Sequence, residues 1–148
     1  MDAALAYLTD RMRTVRVVED KLDEMQYGEG DILATVERLK ELALLDDEEY
    51  AREFVRSRLA TKPVSRQKLY MDLRAHKVPE ELIEAVLGEL PAGTEADNAL
   101  AVARKFWRQM SGLEEHVRRE RVLRRLTSRG FGTEASLAAI RQASEEEL

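Results

Sequence analysis

The sequence predicts an all-α fold, an elongated, curved array of three tandem three-helix repeats. Three observations carry that expectation. Charged residues make up 36% of the chain and aromatic ones 5%, and 7 glycines and 3 prolines are too few to close many tight turns. Apolar residues return at helical spacing along most of the length. The same apolar pattern then recurs about fifty residues later, twice.

Repeat 1, residues 1–45, opens on a helix expected from Ala3 to Arg11. Val18 and Leu22 mark the core face of a second helix, and Ile32, Val36 and Leu39 that of a third. Leu42 to Asp46 joins this repeat to the next.

Repeat 2, residues 46–91, has the most readable ends. Asp46 is placed to cap a helix with Glu49 at its third position. Tyr50, Ala51, Phe54, Val55 and Leu59 form one apolar stripe on it, and Lys62-Pro63 stops it, because a residue before proline disfavours helix. Ser65 opens a short helix whose inner face is Leu69, Leu73 and Tyr70. Pro79 suits the first turn of a third helix carrying Leu82, Ile83, Val86, Leu87 and Leu90.

Repeat 3, residues 92–148, follows the linker Pro91-Ala92-Gly93, with Thr94 to Asp97 capping a long helix. Val102, Ala103, Phe106, Trp107 and Met110 form its stripe, which assigns Trp107 a packing role. Ser111-Gly112 separates it from a basic helix starting near Glu114.

A shift of 51 residues sets Val18 on Leu69, Leu22 on Leu73 and Ile32 on Ile83; a shift of 53 sets Leu69 on Val122, Leu73 on Leu126 and Val78 on Phe131. The turn between the second and third helices recurs as Tyr27-Gly28-Glu29, Val78-Pro79-Glu80 and Phe131-Gly132-Thr133. Matching turn chemistry in all three repeats is what separates a true repeat from chance coincidence of apolar residues.

Composition excludes several function classes. The absence of cysteine removes disulfides, thiolate metal sites and a cysteine nucleophile, and His76 and His116 stand far apart without partners at catalytic or metal spacing. Gly28 and Gly30 sit in an acidic turn and Gly130 and Gly132 flank Phe131, so no phosphate-cradling loop is present. The reading is of a protein that is not an enzyme and takes no cofactor or metal. The apolar run Ala3 to Leu8 is far below the roughly 20 residues of a membrane span, and no basic segment precedes it. A cytoplasmic monomer with no membrane partner is expected.

The formal net charge of −5 conceals segregation. Residues 1–50 carry a net of −8, residues 52–77 a net of +6 and residues 104–129 again +6. Two basic blocks behind an acidic front favour a polyanion partner over surfaces that are merely solvated. The candidate contacts are Arg52, Arg56, Arg58, Lys62, Arg66, Lys68, Arg74 and Lys77 from the first block and Arg118, Arg121, Arg124, Arg125 and Arg129 from the second. Arg52, Arg56 and Arg58 share a helix with Glu48, Glu49 and Glu53, whereas Arg66, Lys68, Arg74 and Lys77 have few acidic neighbours in sequence. The arginines of the second block span most of a helix circumference, so only about half are expected to face one ligand.

Leu44-Leu45-Asp46-Asp47-Glu48-Glu49-Tyr50-Ala51 through Phe54-Val55-Arg56-Ser57-Arg58 resembles the signature stretch of the RecX family, bacterial regulators of the RecA recombinase. Leu123-Arg124-Arg125-Leu126-Thr127-Ser128-Arg129-Gly130-Phe131 is similar to that family's closing motif, and Arg13-Thr14 with Lys21-Leu22 to its N-terminal one. Ala60-Thr61-Lys62-Pro63-Val64-Ser65 departs from the pattern by lacking the usual glycines. The resemblance implies a regulator that lies in the groove of the RecA–DNA filament, bridges RecA protomers, damps strand exchange and ATP hydrolysis, and binds single- and double-stranded DNA weakly and without sequence preference. It implies a place in DNA repair, recombination and the SOS response. Two other readings of the same repeats remain: a helix-turn-helix DNA-binding protein, for which Ser65-Arg66-Gln67 is a faint recognition-helix start, and a protein-only helical scaffold.

Overall fold

Side-chain caps open some helices and not others: Thr94 to Asp97, expected to cap a long helix, forms its first turn instead, and Gly93 at the N-cap supplies no side-chain hydrogen bond. A computed structural model describes residues 1–9 and 11–147 of the chain. Among the described residues there are nine helices and no strand: α1 (Asp2–Leu8), α2 (Val15–Glu24), α3 (Glu29–Glu41), α4 (Asp47–Thr61), α5 (Arg66–Ala75), α6 (Glu80–Gly88), α7 (Thr94–Gln109), α8 (Glu115–Ser128) and α9 (Thr133–Glu146). They form three consecutive triplets. The helix expected from Ala3 to Arg11 is Asp2–Leu8; Asp10, within the expected span, lies outside the described residues.

The caps expected in the middle triplet are formed. Asp46 Oδ1 accepts from the backbone N–H of Glu48 and of Glu49, both at 3.1 Å, and α4 stops at Thr61, two residues short of Pro63. Ser65 Oγ accepts from the Lys68 N–H at 3.0 Å and starts α5. Pro79 stands one position earlier than expected, immediately before α6, where its carbonyl accepts from the Leu82 and Ile83 N–H groups at 3.1 Å.

The second helix of every triplet ends identically. The residue after the cap is left-handed in each: Gln26 at φ 69°, Lys77 at φ 66° and Gly130 at φ 89°. The next N–H then reaches back to a leucine carbonyl, Tyr27 to Leu22 at 3.1 Å, Val78 to Leu73 at 3.1 Å and Phe131 to Leu126 at 3.2 Å. Leu22, Leu73 and Leu126 are themselves buried. Each repeat thus sets a core residue and a chain reversal at one position.

Two units can be distinguished, Met1–Phe54 with Met71–Gly88, and Val55–Tyr70 with Glu89–Leu148. The middle triplet is shared between them, since α4 and α5 each begin in one unit and end in the other. The first unit is built on Ala4, Val18, Leu22, Ile32, Val36, Leu39 and Leu45. Of the α4 stripe it takes buried Ala51 and half-buried Tyr50 and Phe54, whose rings lean on His76 at 6.2 and 5.3 Å. The second unit is built on Ala99, Val102, Phe106, Trp107, Val122, Leu126, Phe131 and Ile140. In α9 Ser136 takes the place held by Ile32 and Ile83, and among the described residues its buried hydroxyl has no hydrogen-bond partner.

A hydrogen-bonded junction is found in each unit. In the first, Thr14 Oγ1 accepts from Val17 N–H at 3.4 Å and donates to the His76 carbonyl at 2.8 Å, while Val15 N–H donates to Asp47 Oδ1 at 2.8 Å. In the second, Ser65 N–H donates to the Arg129 carbonyl at 3.0 Å and Arg66 N–H to Glu95 Oε1 at 3.4 Å. Thr14 and Ser65 stand 51 residues apart, on the repeat spacing, and both are fully buried. Their hydroxyls satisfy helix N-termini that would otherwise bury unpaired donors.

A candidate nucleic-acid interface on the basic unit

Charge separates between the two units more sharply than it does along the sequence. The first carries nine basic and nineteen acidic residues, a net of −10; the second carries fifteen and ten, a net of +5. This partition sorts the candidate residues.

Arg52, Arg74 and Lys77 fall in the acidic unit. Arg52 Nη2 lies 2.6 Å from Glu48 Oε1 and Arg74 Nη1 3.6 Å from Glu80 Oε2. Lys77 Nζ donates to Asp20 Oδ2, a residue of α2, and this hydrogen bond holds the Asp20 carboxyl below the usual carboxylate range. Arg74 and Lys77, which have few acidic neighbours in sequence, therefore have carboxylate partners in space.

Arg118 departs most from its expected role as an outward contact. Only its Cα position matches the basic stripe; the side chain is buried and its guanidinium lies 3.9 Å from the Trp107 ring centroid. Nε and Nη2 donate to the Trp107 carbonyl, and Nη1 and Nη2 donate to the Glu147 carboxylate at 2.9 and 3.0 Å. A guanidinium with its donors satisfied inside the protein offers none to DNA while this arrangement persists.

The other candidates gather in the basic unit. Arg121, Arg124, Arg125 and Ser128 follow one another at i, i+3, i+4 and i+7 on α8 and, with Met110, line an open groove. Arg124 is tied to Glu120 at 3.3 Å, an exposed pair of little net stability. Arg121 forms no ion pair or side-chain hydrogen bond among the described residues. Arg125 and Arg129 place their guanidinium carbons 5.2 Å from the Phe106 ring centroid, and Lys105 Nζ stands at 5.5 Å. Lys105 is a contributor that sequence reasoning did not single out, because only the packing of Phe106 against α8 brings it to the arginines.

Arg129 connects this group to the first sequence block. Its Nη1 donates to the Pro63 carbonyl at 3.4 Å and its own carbonyl accepts from Ser65, so the end of α8 meets the turn between Lys62 and Arg66. Burial, with repulsion from Arg125, lowers the Arg129 pKa from its ordinary value. Arg56, Arg58, Lys62, Arg66 and Lys68 belong to the same unit. Apart from the exposed Gln67 between Arg66 and Lys68, the candidates are guanidinium and ammonium groups, which suit phosphates more than base edges.

His76 is occupied against Tyr50 and Phe54, and His116 Nδ1 lies 3.3 Å from Glu114 on the surface. No group of metal-ligating side chains occurs among the described residues, and no helix there is long and apolar enough to cross a membrane.

Comparison with known proteins covers nearly all of this architecture. The model of the RecX first three-helix domain matches residues 1–39, that of the second residues 46–87 and that of the third residues 94–140. A regulatory protein RecX of Prosthecochloris aestuarii is 33% identical over 148 residues, spanning 100% of this chain and 93% of its own. One from Mycobacterium sp. (strain JLS) is 32% identical over 140 residues, spanning 92% of this chain and 76% of its own. The crystal structure of RecX from Lactobacillus salivarius superposes with a TM-score of 0.81 at 23% identity, covering 97% of this chain and 93% of that one, a likeness of fold. A second crystal structure of regulatory protein RecX gives a TM-score of 0.75 at 26% identity, covering 95% and 69%. With all three domain models matched in order along the chain, this protein belongs to the RecX family of regulatory proteins.

Proposed function

We propose that this protein regulates the RecA recombinase by binding in the groove of the RecA–DNA filament, where it inhibits filament activity. The basic unit meets DNA phosphates, weakly and without sequence preference, and the acidic unit meets RecA. The observation that carries this reading is the division of charge, −10 on one unit and +5 on the other, within a chain of the RecX family. A filament groove offers both a polyanion and a protein surface, and a partner of uniform sign would gain nothing from this division. Such a role places the protein in the bacterial cytoplasm as a monomer, with repeats bounded near residues 1–45, 46–91 and 92–148, and with no catalytic step of its own.

The test is RecA ATP hydrolysis on single-stranded DNA with increasing amounts of this protein. The expected result is a fall in the steady-state rate, attenuated by salt because phosphate contacts release counterions. An unchanged rate at saturating protein would overturn the proposal. Protection of one DNA sequence in a footprint would instead favour a helix-turn-helix DNA-binding protein.

A further inference from the structure

We propose that Arg104, Arg118 and the indole N–H of Trp107 form a phosphate-binding site for single-stranded nucleic acid, covered in this structure by Glu146 and Glu147. The proposal rests on the DNA-binding part of the function proposed above and assigns a site and a control to it.

The site is built rather than incidental. Arg118 is nine-tenths buried, stacked on the Trp107 ring, and anchored by the Trp107 carbonyl. Its remaining N–H groups form a fork at 2.9 and 3.0 Å on Glu147, and Trp107 Nε1 donates to the same carboxylate at 2.7 Å. Beside it Arg104 holds Glu146 through two bonds of 2.7 and 2.6 Å. Three donors converging on one anion match a phosphodiester as well as they match a carboxylate. A recess lined by Arg104, Trp107, Arg108 and Ala143 continues beside the two glutamates.

The dipole of its own helix disfavours the cover. α9 closes on Glu145, Glu146 and Glu147 with no basic residue in its last turn, so three carboxylates face the negative end of the helix dipole. The guanidinium clamps, the Trp107 indole N–H on Glu147 and a 3.3 Å hydrogen bond from Gln142 Nε2 to Glu146 Oε1 favour the closed arrangement. Both glutamates have carboxyl pKa values below the ordinary range, chiefly through the Arg104 and Arg118 hydrogen bonds. They stay ionised at neutral pH and can be displaced by a stronger polyanion. The occupant is argued to be nucleic acid because the unit's net charge is +5 and α8, which carries Arg118, also carries the basic groove. A flexible single strand can follow a phosphate into a recess, which a stiff duplex cannot.

Trp107 is the only tryptophan, so its emission reports on this site. The test titrates the full chain, Glu147→Gln and Glu146→Gln/Glu147→Gln with oligothymidylate, reading anisotropy and Trp107 emission, with circular dichroism confirming the fold. Opening the cover is expected to raise affinity about threefold or more, steepen the salt slope by roughly 0.7 for each additional phosphate bound, and make oligonucleotide binding change Trp107 emission. Glu134→Gln makes the same charge change at the other end of α9 and should leave affinity near the wild-type value. Equal affinity in wild type and both variants would overturn the proposal, as would an equal gain in Glu134→Gln. A Trp107 response to a polyglutamate peptide but not to the oligonucleotide would also overturn it and mark a peptide site. Binding by the variants alone would support it. Binding by none would sink it together with the DNA-binding reading, whereas binding by all equally would leave that reading intact.

Discussion

Gly130 lies so close to Ser65 that a Cβ on the glycine would overlap the serine Oγ and come within 2.9 Å of Lys68 Cβ. The left-handed turn that ends α8 is thus pressed against the start of α5. Its counterparts Gln26 and Lys77 carry side chains in the same backbone conformation, so it is the close approach that makes glycine necessary at 130.

Gly130→Ala should cost about 2–4 kcal/mol, combining left-handed strain with overpacking. Gln26→Gly should stabilise by roughly 0.5–1 kcal/mol, since position 26 is exposed and left-handed. Urea denaturation of both variants checks the pair; equal and opposite small effects would refute the close packing.

Asp47 accepts the Val15 N–H at 2.8 Å, and burial raises its carboxyl pKa above the ordinary 3.8 despite that bond. Asp47→Ala should lose about 1–2 kcal/mol by orphaning a helix-start donor, whereas Asp47→Asn keeps an acceptor and should cost less. Because the folded pKa is raised, the group's stabilising contribution is complete below 3.8 and is lost as pH rises through the folded value. Asp47→Asn should therefore gain on the wild type as pH rises through the acid range, which melting temperatures measured across that range would show.

Ser136→Ala should stabilise the protein by about 1 kcal/mol, because it deletes a buried hydroxyl without a partner and leaves no large void. A drop in thermal midpoint would mean that the hydroxyl is paired in solution.

Charge reversal at Arg121 and Arg125 should weaken binding to single- and double-stranded DNA alike and lower the salt slope by roughly 0.7–0.9 for each phosphate no longer neutralised. Reversal at Arg52 and Arg74, which lie in the acidic unit against Glu48 and Glu80, should leave that slope unchanged. Anisotropy titrations at several salt concentrations separate the two; matching losses of affinity would remove α8 as the DNA-binding surface.

The sequence by itself determined the helices and their order. Asp46, Ser65 and Pro63 act on neighbours within four residues, and Leu22, Leu73 and Leu126 recur because each closes the same kind of helix end. Such signals are local, so a linear reading recovers them. The tertiary structure alone decided which cations meet solvent. Lys77 finds Asp20 from 57 positions away, and Arg118 finds Glu147 from 29. The basic run 52–77 looks continuous in sequence, yet α4 and α5 each pass from one unit to the other and divide it between an acidic body and a basic one. Coulomb attraction acts on distance in space, and distance along a repeat chain does not report it.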